Sequence, residues 1–278
     1  MKILLGYKEL RKNLEKSFER VGITEFADID WIIVEITGKS RSMLQFIEQF
    51  SSDEMSKIMS AVEKRLKHIP LGYIFKKSYF YGREFKVDEN VLIPRLDTEI
   101  LIEKICDDIK SRNSEVSVLD IGTGSGAIAI TIQKETNANV VAVDVSDGAL
   151  EIAKYNAEVL EASVNFEKSD LFEKINGKFD FIVSNPPYIE SSVIETLDDE
   201  VKLNEPILAL DGGEDGLDFY RKIVKDAPSH LNKGGKLYFE IGYNQAEALK
   251  DLMKVNFKNI KVYKDYGNND RVVVGEIL

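Results

Sequence analysis

Cysteine, histidine and proline are scarce in this 278-residue sequence, and the scarcity excludes several kinds of site. The single cysteine, Cys106, allows neither an internal disulfide nor a thiolate metal cluster. The two histidines, His68 and His230, are far apart, and no cluster of His, Cys and carboxylate residues has metal-ligand spacing. We therefore expect no bound metal. Six prolines in the whole chain argue against long disordered linkers.

Long apolar runs are missing as well. No stretch approaches the roughly 18 consecutive apolar residues that cross a bilayer, and the apolar run within residues 1–6 is too short for a secretory signal. These absences predict a cytoplasmic protein without a membrane partner. Apolar residues still make up 44% of the chain, enough for a substantial core, and the length suits two domains of roughly 150 residues.

Acidic residues outnumber basic ones. The chain has 37 Lys and Arg against 48 Asp and Glu, a net charge of −11. Proteins that bind long nucleic acids gain affinity by neutralising phosphates, so this balance argues against direct nucleic-acid binding. An acidic surface instead favours encounter with a basic partner. We expect a monomer whose partner is another protein.

Residues 1–70 have the apolar spacing of helices and predict a small helical bundle, a domain suited to holding a partner. Ser51 and Glu54 have the spacing of a capping box at a helix start. An apolar stripe at helical intervals follows, and Pro70 ends the run. Gly38 is expected to close an earlier helix.

The pattern changes after residue 70. From 71 to 93, aromatic and β-branched residues are punctuated by Gly72 and Gly82, which predicts a β-hairpin or extended connector. From 94 to 278, apolar runs alternate with helical stretches, which is typical of parallel strands joined by crossover helices in an α/β fold. The predicted strands cover residues 116–121, 140–145, 165–168, 179–184 and 236–241.

The last two predicted strands depart from that alternation. Residues 260–266 and 271–277 are joined by a turn too short for a crossover, so these strands should be antiparallel. A parallel sheet closed by an antiparallel hairpin is typical of the Rossmann-like class I methyltransferases. Dehydrogenase Rossmann domains do not usually end in this way.

A glycine-rich turn follows the first predicted strand and opens a helix. It reads Gly122-Thr123-Gly124-Ser125-Gly126, and its glycines let a ligand approach the backbone beside the free N–H groups of a helix start. The spacing G-x-G-x-G differs from the G-x-G-x-x-G of dinucleotide sites. The glycines alone leave a methyltransferase and a dinucleotide binder both open.

Two acidic residues at later strand ends indicate an adenosine ligand. Asp144 ends the second strand, where its carboxylate can accept hydrogen bonds from both ribose hydroxyls, as in NAD sites. Asp170 ends the third strand, where it can accept a hydrogen bond from the adenine amine, and the N–H of Leu171 can reach a ring nitrogen. Open α/β sheets bind ligands at such carboxyl ends, so the three features belong to one predicted site.

The turn after the fourth strand, Asn185-Pro186-Pro187-Tyr188, indicates the chemistry. An amide or aromatic amine is a poor nucleophile because the lone pair of its nitrogen is delocalised. A catalyst must therefore orient the NH₂ group by accepting a hydrogen bond from each of its two N–H groups. The side-chain oxygen of Asn185 and the carbonyl of Pro186 can do so, and the prolines stiffen the turn without adding an N–H. Tyr188 can pack on the planar group. The prediction is methyl transfer from S-adenosylmethionine.

Further short motifs follow this turn or precede the glycine turn. They are Ile93-Pro94-Arg95-Leu96-Asp97-Thr98-Glu99, Asn204-Glu205-Pro206 with Ala209-Leu210, Gly212-Gly213-Glu214-Asp215-Gly216-Leu217, Glu240-Ile241-Gly242 with Gln245, and Asp265-Tyr266 with Asn269-Asp270-Arg271. From about residue 70 onward, the sequence thereby resembles the release factor glutamine methyltransferases, the PrmC/HemK family. Leu96 stands where that family has a second proline, and Gly72 where it commonly has a polar residue.

The resemblance implies a class I fold, S-adenosylmethionine as the cofactor, and methylation of the glutamine amide in the Gly-Gly-Gln motif of peptide chain release factors. It also implies a set of site residues. Those that would contact the cofactor are Gly122, Thr123, Gly124, Ser125, Gly126, Asp144, Leu171 and Asn185, and those that would hold the glutamine are Asn185, Pro186, Pro187 and Tyr188.

Three alternatives remain open at this point. Asn-Pro-Pro-Tyr also marks methyltransferases of the adenine amine in DNA, but such an enzyme needs a target-recognition domain and a basic cleft, and the sequence shows neither. A nicotinamide-dependent oxidoreductase is disfavoured by the glycine spacing and the closing hairpin. A cofactor-binding module without turnover would have no need of the two acceptors in the turn.

Overall fold

Contacts within the chain divide it into two units. The computed structural model describes residues 5–278. One unit extends as far as Lys76 and also includes Asp198–Asn204, and the other consists of Lys77–Leu197 and Glu205–Leu278. This division differs from the predicted boundaries at residues 70 and 93, and a short segment that we had assigned to the methyltransferase domain joins the first unit instead.

The first unit is helical. Its elements are α1 (Tyr7–Arg20), α2 (Ala27–Thr37), a 3₁₀ helix (Arg41–Phe46), α3 (Ser52–Arg65), α4 (Leu71–Phe75) and, from the later segment, α9 (Asp199–Asn204). The predicted capping box is confirmed, since the Ser51 hydroxyl accepts the Glu54 N–H at 3.2 Å and Glu54 Oε2 accepts the Ser51 N–H at 2.7 Å. Gly38 ends α2 in the left-handed conformation, as predicted. The core includes Leu14, Phe18, Ile29, Ile32, Ile58 and Val62.

The beginning of the predicted hairpin is α4 instead. Pro70 precedes this helix with a φ of −57°, a value that the pyrrolidine ring imposes and that suits a helix start. Tyr73 is buried within α4, and Leu71, Ile74 and Phe75 pack against the core of the first unit. Burial on a helical face has overridden the strand preference of these aromatic and β-branched side chains.

The second unit contains a hairpin, β1 (Lys77–Phe80) and β2 (Arg83–Lys86), and a seven-stranded sheet. The sheet strands are β3 (Ser117–Ile121), β4 (Asn139–Asp144), β5 (Val164–Lys168), β6 (Phe179–Ser184), β7 (Leu231–Glu240), β8 (Phe257–Lys264) and β9 (Asp270–Ile277). Their order is β5-β4-β3-β6-β7-β9-β8, and β9 alone runs in the direction opposite to the other six strands. The predicted Rossmann-like sheet with its antiparallel closing hairpin is confirmed.

Helices cover both faces of this sheet. They are α5 (Thr98–Lys110), α6 (Ala127–Thr136), α7 (Asp147–Val159), α8 (Ser191–Ile194), α10 (Asp218–His230) and α11 (Ala246–Met253), with a 3₁₀ turn at Ile207–Ala209. Side chains alternate along β6, so Phe181 and Val183 enter one core cluster and Ile182 enters the other. None of the helices in residues 5–278 is both long and apolar enough to cross a membrane.

The order of the strands in the sheet determines where the predicted ligand site lies. The chain leaves β3 toward β4 on one side, and returns to pair β6 on the other side of β3. In an open α/β sheet this reversal leaves a crevice at the carboxyl ends of the two central strands. The glycine turn follows β3 and the proline turn follows β6, so both predicted turns lie at that crevice.

A buried cation holds α9 within the first unit. Arg65, at the end of α3, is 2% exposed. Its Nε donates to Asp28 at 2.7 Å and its Nη2 pairs with Glu200 at 2.7 Å, while Nη1 has no hydrogen-bond partner among residues 5–278. Loss of the guanidinium would leave the largely buried Asp28 carboxylate without its cation.

Arg65→Met should lower the free energy of unfolding of the first unit by about 3 kcal/mol, because removal of one partner strands a buried charge. Urea unfolding followed by Trp31 fluorescence measures this, since Trp31 is the single tryptophan and lies in α2. Arg41→Met is the matched control, with an expected loss below about 1 kcal/mol. Arg41 is 64% exposed, and its partner Asp30 keeps other partners. Equal urea midpoints for the two variants would contradict the role given to Arg65.

Candidate active site

The glycine turn between β3 and α6 uses the left-handed backbone region three times. Gly122, Gly124 and Gly126 have φ values of +74°, +55° and +81°. A Cβ placed on Gly122 or Gly124 would meet nothing within 4 Å, whereas one on Gly126 would lie 2.8 Å from Ile130 Cδ1 and 3.2 Å from Ala153 Cβ. The first two glycines therefore face open space, and the third allows α6 and α7 to pack closely.

A cavity of about 280 Å³ opens at this turn. The residues from the sequence prediction that line it are Gly122, Thr123, Gly124, Ser125, Asp144, Asp170, Leu171, Asn185, Pro186 and Pro187. Segments after four different strands, β3 to β6, thus meet around one space. Pro94, Arg95, Thr98, Pro206 and Leu208 complete another part of its wall.

Asp144 connects two of these segments. Its Oδ2 accepts the N–H of Gly124 at 2.9 Å and its Oδ1 accepts that of Ser146 at 2.9 Å. Burial raises the pKa of Asp144, and these backbone hydrogen bonds counteract the rise. Because each carboxylate oxygen has a second lone pair, Asp144 can still accept hydrogen bonds from a ligand in the cavity.

Asp120 lies behind the glycine turn, and the sequence predicted no separate role for it. It is fully buried in β3, and the Thr123 hydroxyl donates to its Oδ2 at 2.7 Å. Burial raises the pKa of Asp120 to about 7, although the hydrogen bond from Thr123 lowers it. One acidic residue within an apolar strand has no spacing that would distinguish it. Its contact fixes Thr123, which lines the cavity.

The turn after β5 holds a strained backbone. Leu171 has a φ of +48°, a region that non-glycine residues rarely occupy. The buried Ser169 stabilises this turn, since its hydroxyl donates to the Leu171 carbonyl at 3.0 Å and accepts the Lys174 N–H at 3.0 Å. The exposed Asp170 and the Leu171 backbone are thereby fixed at the cavity edge. The sequence pattern does not predict this role of Ser169, which follows only from its contacts in the folded structure.

The proline turn follows β6 directly. Ser184, at the end of the strand, donates through its hydroxyl to the carbonyl of Ile121 at 2.8 Å, which ties β6 to β3 at the point where both turns begin. Asn185 and Pro187 are half-buried and Pro186 is buried. All three line the cavity. The two acceptors proposed from the sequence therefore belong to residues at the cavity wall.

The loop with the Gly212–Leu217 motif supports this turn from behind. A Cβ on Gly216 would lie 2.4 Å from the Tyr188 carbonyl oxygen, and one on Gly212 would lie 2.8 Å from Tyr188 Cα. Only glycine allows so close an approach. The Gln245 side-chain NH₂ donates to the carbonyls of Tyr188, at 3.0 Å, and of Gly216, at 3.2 Å. These residues fix the position of the turn.

The segment that leads into α5, together with the first turn of that helix, contacts several parts of the second unit. Arg95 pairs with the buried Glu205 at 2.5 Å, next to the cavity-lining Pro206. Asp97 pairs with Arg271 of β9 at 3.1 Å. Glu99 accepts the N–H of Tyr81 from the β1–β2 turn at 2.8 Å. Leu96, where the resembling family has proline, is 73% exposed and interrupts none of these contacts.

Two predicted site residues do not line the cavity. Gly126 is buried between α6 and α7 and lets these helices pack closely. The Tyr188 ring packs against the core cluster that contains Ile182 and Phe239, and burial raises the pKa of its hydroxyl to about 12. The cofactor contact at Gly126 and the substrate contact at Tyr188 stay predictions.

Comparisons with known proteins agree with this geometry. A family model described as Methyltransferase small domain matches residues 95–201. The chain is 41% identical to the release factor glutamine methyltransferase of Bacillus subtilis over 248 residues, 85% of this chain and 86% of the relative. It is 38% identical over 277 residues to the protein of that name from Streptococcus pneumoniae, 96% of this chain and 98% of the relative. The chain belongs to the release factor glutamine methyltransferase family.

Membership in the release factor glutamine methyltransferase family makes the chain an enzyme, a methyltransferase, and implies that it depends on S-adenosylmethionine. The resemblance noted in the sequence is confirmed. A solved methyltransferase from Pyrococcus furiosus shares the fold, with a TM-score of 0.56 and 21% identity over 81% of this chain and 98% of that one. This likeness concerns the fold alone.

Gly126→Ala should lower the free energy of unfolding of the second unit by about 1–2 kcal/mol more than Gly122→Ala. Both variants place a side chain at positive φ, but only at position 126 does the new methyl overlap α7. Calorimetric unfolding temperatures of the two variants provide the comparison. Equal losses, or a larger loss for Gly122→Ala, would show that Gly126 is not a packing residue.

Proposed function

We propose that this enzyme transfers a methyl group from S-adenosylmethionine to the side-chain amide nitrogen of the glutamine in the Gly-Gly-Gln motif of peptide chain release factors. The observation that carries the proposal is that Asn185 and Pro186 line the same cavity as the glycine turn and Asp144. The relatives named release factor glutamine methyltransferase support the choice of acceptor.

The cofactor is assigned to the part of the cavity between β3, β4 and β5. Open space at Gly122 and Gly124 admits a ligand against the backbone, and the Asp144 carboxylate suits ribose hydroxyls. Asp170 and the Leu171 N–H are assigned to the adenine. Thr123, Ser125 and Asn185 complete the proposed cofactor contacts. When bound, S-adenosylmethionine supplies an electrophilic methyl group on a sulfonium.

The proline turn is assigned to the acceptor amide. Asn185 Oδ1 and the Pro186 carbonyl oxygen accept hydrogen bonds from the two N–H groups of the glutamine amide. These two hydrogen bonds fix the plane of the amide. Pro186 and Pro187 have no N–H that would compete for those oxygens and hold the backbone stiffly. Fixed geometry of this kind can contribute roughly 7–11 kcal/mol to catalysis. The turn needs no strong base, because the amide nitrogen becomes acidic once it carries the methyl group and then readily loses one proton to solvent.

The choice of a protein substrate also determines the partner, the location and the oligomeric state that we propose for the enzyme. We assign release factors as its partners, the cytoplasm as its location and a monomer as its working state, without direct binding to nucleic acid. The net charge of −11 supports a protein over a DNA substrate, because a duplex would be repelled. The same charge and the relatives' names disfavour an adenine methyltransferase of DNA.

Methyl-labelled S-adenosylmethionine, incubated with purified release factor or with duplex DNA, tests the proposal. Label should appear on the glutamine after two glycines and not on DNA. Asn185→Ala should lower the rate at least 100-fold, because one of the two acceptors is lost. Cofactor affinity should fall much less than the rate, because Asn185 is only one of several proposed cofactor contacts. Mass spectrometry locates the label, and calorimetric titration measures the cofactor affinity.

Two variants serve as controls in that assay. Asn176→Ala alters an exposed asparagine that does not line the cavity and should leave the rate unchanged. Asp144→Ala should instead weaken cofactor binding, because the proposed ribose acceptor is gone. Label on DNA, or an undiminished rate for Asn185→Ala, would refute the proposed function.

A further inference from the structure

A buried asparagine beside the glycine turn has no part in the function proposed so far. Asn156 lies in α7 and is 2% exposed. Burial of a side-chain amide is unfavourable unless its polar atoms form hydrogen bonds, so the partners of Asn156 are informative. They are three backbone groups in two other segments of the second unit, the strand β2 and the glycine turn.

Two of the three partners belong to Lys86, the last residue of β2. Oδ1 of Asn156 accepts the Lys86 N–H at 2.7 Å, and Nδ2 of Asn156 donates to the Lys86 carbonyl at 3.0 Å. The side-chain amide thus pairs with the backbone of Lys86 as a neighbouring strand would. Because a donor and an acceptor of the same residue face the amide, only one of its two orientations satisfies both.

The third partner lies in the glycine turn. The NH₂ group of Asn156 also donates to the Ser125 carbonyl, at 2.9 Å. The orientation of the amide that Lys86 determines is therefore also the one that the turn requires. Ser125 is 3% exposed and lines the cavity, whereas Asn156 does not line it. Asn156 thus acts on a proposed cofactor-binding segment without facing the cofactor.

The two halves of the glycine turn are held by different elements. In the first half, the N–H groups of Gly122 and Thr123 donate to the carbonyl of Val143 in β4, at 2.9 and 3.0 Å. In the second half, the Ser125 carbonyl accepts its hydrogen bond from Asn156 in α7. The strand β4 therefore fixes the position of the first half, and α7 fixes the position of the second.

The second half needs such a contact because glycine leaves the backbone free to rotate. The orientation of the peptide group between Ser125 and Gly126 depends on ψ of Ser125 and φ of Gly126. The φ of Gly126 is +81°, and glycine adopts either sign of φ with little penalty. A ligand that has to order a mobile turn binds more weakly than one that meets a preorganised turn. The hydrogen bond from Asn156 removes this freedom before the ligand binds.

We propose that Asn156 is a positioning residue for the cofactor: it holds the Ser125 carbonyl and so keeps the glycine turn in its binding conformation before S-adenosylmethionine binds. This inference rests on the proposed function only in assigning the glycine turn to S-adenosylmethionine. The identity of the methyl acceptor does not enter the argument.

Asn156→Ala and Asn156→Leu, titrated calorimetrically with S-adenosylhomocysteine, test the proposal. Neither new side chain donates a hydrogen bond to Ser125, and Leu keeps the number of heavy atoms of Asn. Kd should rise about tenfold in both variants, because a buried hydrogen bond to the turn is lost. With saturating S-adenosylmethionine, kcat and KM for release factor should stay within about twofold of the wild type, because the bound cofactor itself orders the turn.

Two control variants in α7 separate this effect from a loss of stability. Tyr155→Ala removes the ring that Lys86 Nζ approaches at 4.5 Å and leaves the donor to Ser125 in place. Ala157→Gly weakens the helix at a buried position. Both controls should bind S-adenosylhomocysteine with a Kd within about twofold of the wild type, because the hydrogen bond to the turn remains. An equal rise of Kd in Ala157→Gly and Asn156→Ala would overturn the positioning role.

Hydrogen exchange of backbone amides, followed by NMR, gives a readout independent of activity. The Gly126 N–H donates to the Thr123 carbonyl at 2.9 Å, so it should exchange slowly in the cofactor-free wild type. In Asn156→Ala its exchange should be at least about tenfold faster, and S-adenosylhomocysteine should make it slow again. The Gly122 N–H, which is bonded to β4, should exchange equally slowly in both proteins.

Three results would contradict the role of Asn156. They are an unchanged Kd in Asn156→Ala, equal exchange rates of Gly126 in variant and wild type, and fast exchange of Gly126 in the cofactor-free wild type. The last measurement needs no variant, so the proposal can fail even if the substitutions prevent folding. An enzyme that behaves as predicted here but labels no release factor would refute the proposed function alone.

Discussion

The fixed position of one short turn underlies the rest of the second unit. Asn185, Pro186 and Pro187 must hold two oxygens where a planar NH₂ group can meet them, and a flexible turn could not do so. Contacts on two sides of the turn make it rigid. Ser184 bonds the neighbouring strand β3, and Gln245 and Gly216 pack behind Tyr188. A turn held on several sides loses little entropy when substrate binds, which is how preorganised sites gain rate.

The same requirement explains motifs that are distant in sequence. The segment before α5 contributes Arg95 and Asp97, whose partners are Glu205 and Arg271. Arg95 lines the cavity, and the two contacts join its segment to different later parts of the second unit. An ion pair with a buried partner adds geometric definition more than stability. We therefore interpret these pairs as devices that fix the wall of the cavity.

Sequence patterns predicted those features that depend on local chemistry. The strand ends, the glycine turn, Asp144 and the Asn-Pro-Pro turn followed from spacing, because parallel strands gather their carboxyl ends at one edge. Contacts between distant residues could not be predicted in that way. The Tyr188 ring packs into the core, Gly126 separates two helices, and α4 forms because its apolar face is buried. Asp120 and Ser169 are single polar residues with no periodic signal, and their neighbours are known only from the fold.

The proposed function requires that two oxygens of the proline turn hold the acceptor amide. A crystal structure of the enzyme with S-adenosylhomocysteine and a Gly-Gly-Gln peptide would show whether they do. We expect the glutamine nitrogen to lie about 3 Å from both Asn185 Oδ1 and the Pro186 carbonyl oxygen. A glutamine amide bound elsewhere in the cavity, or held by other acceptors, would contradict it.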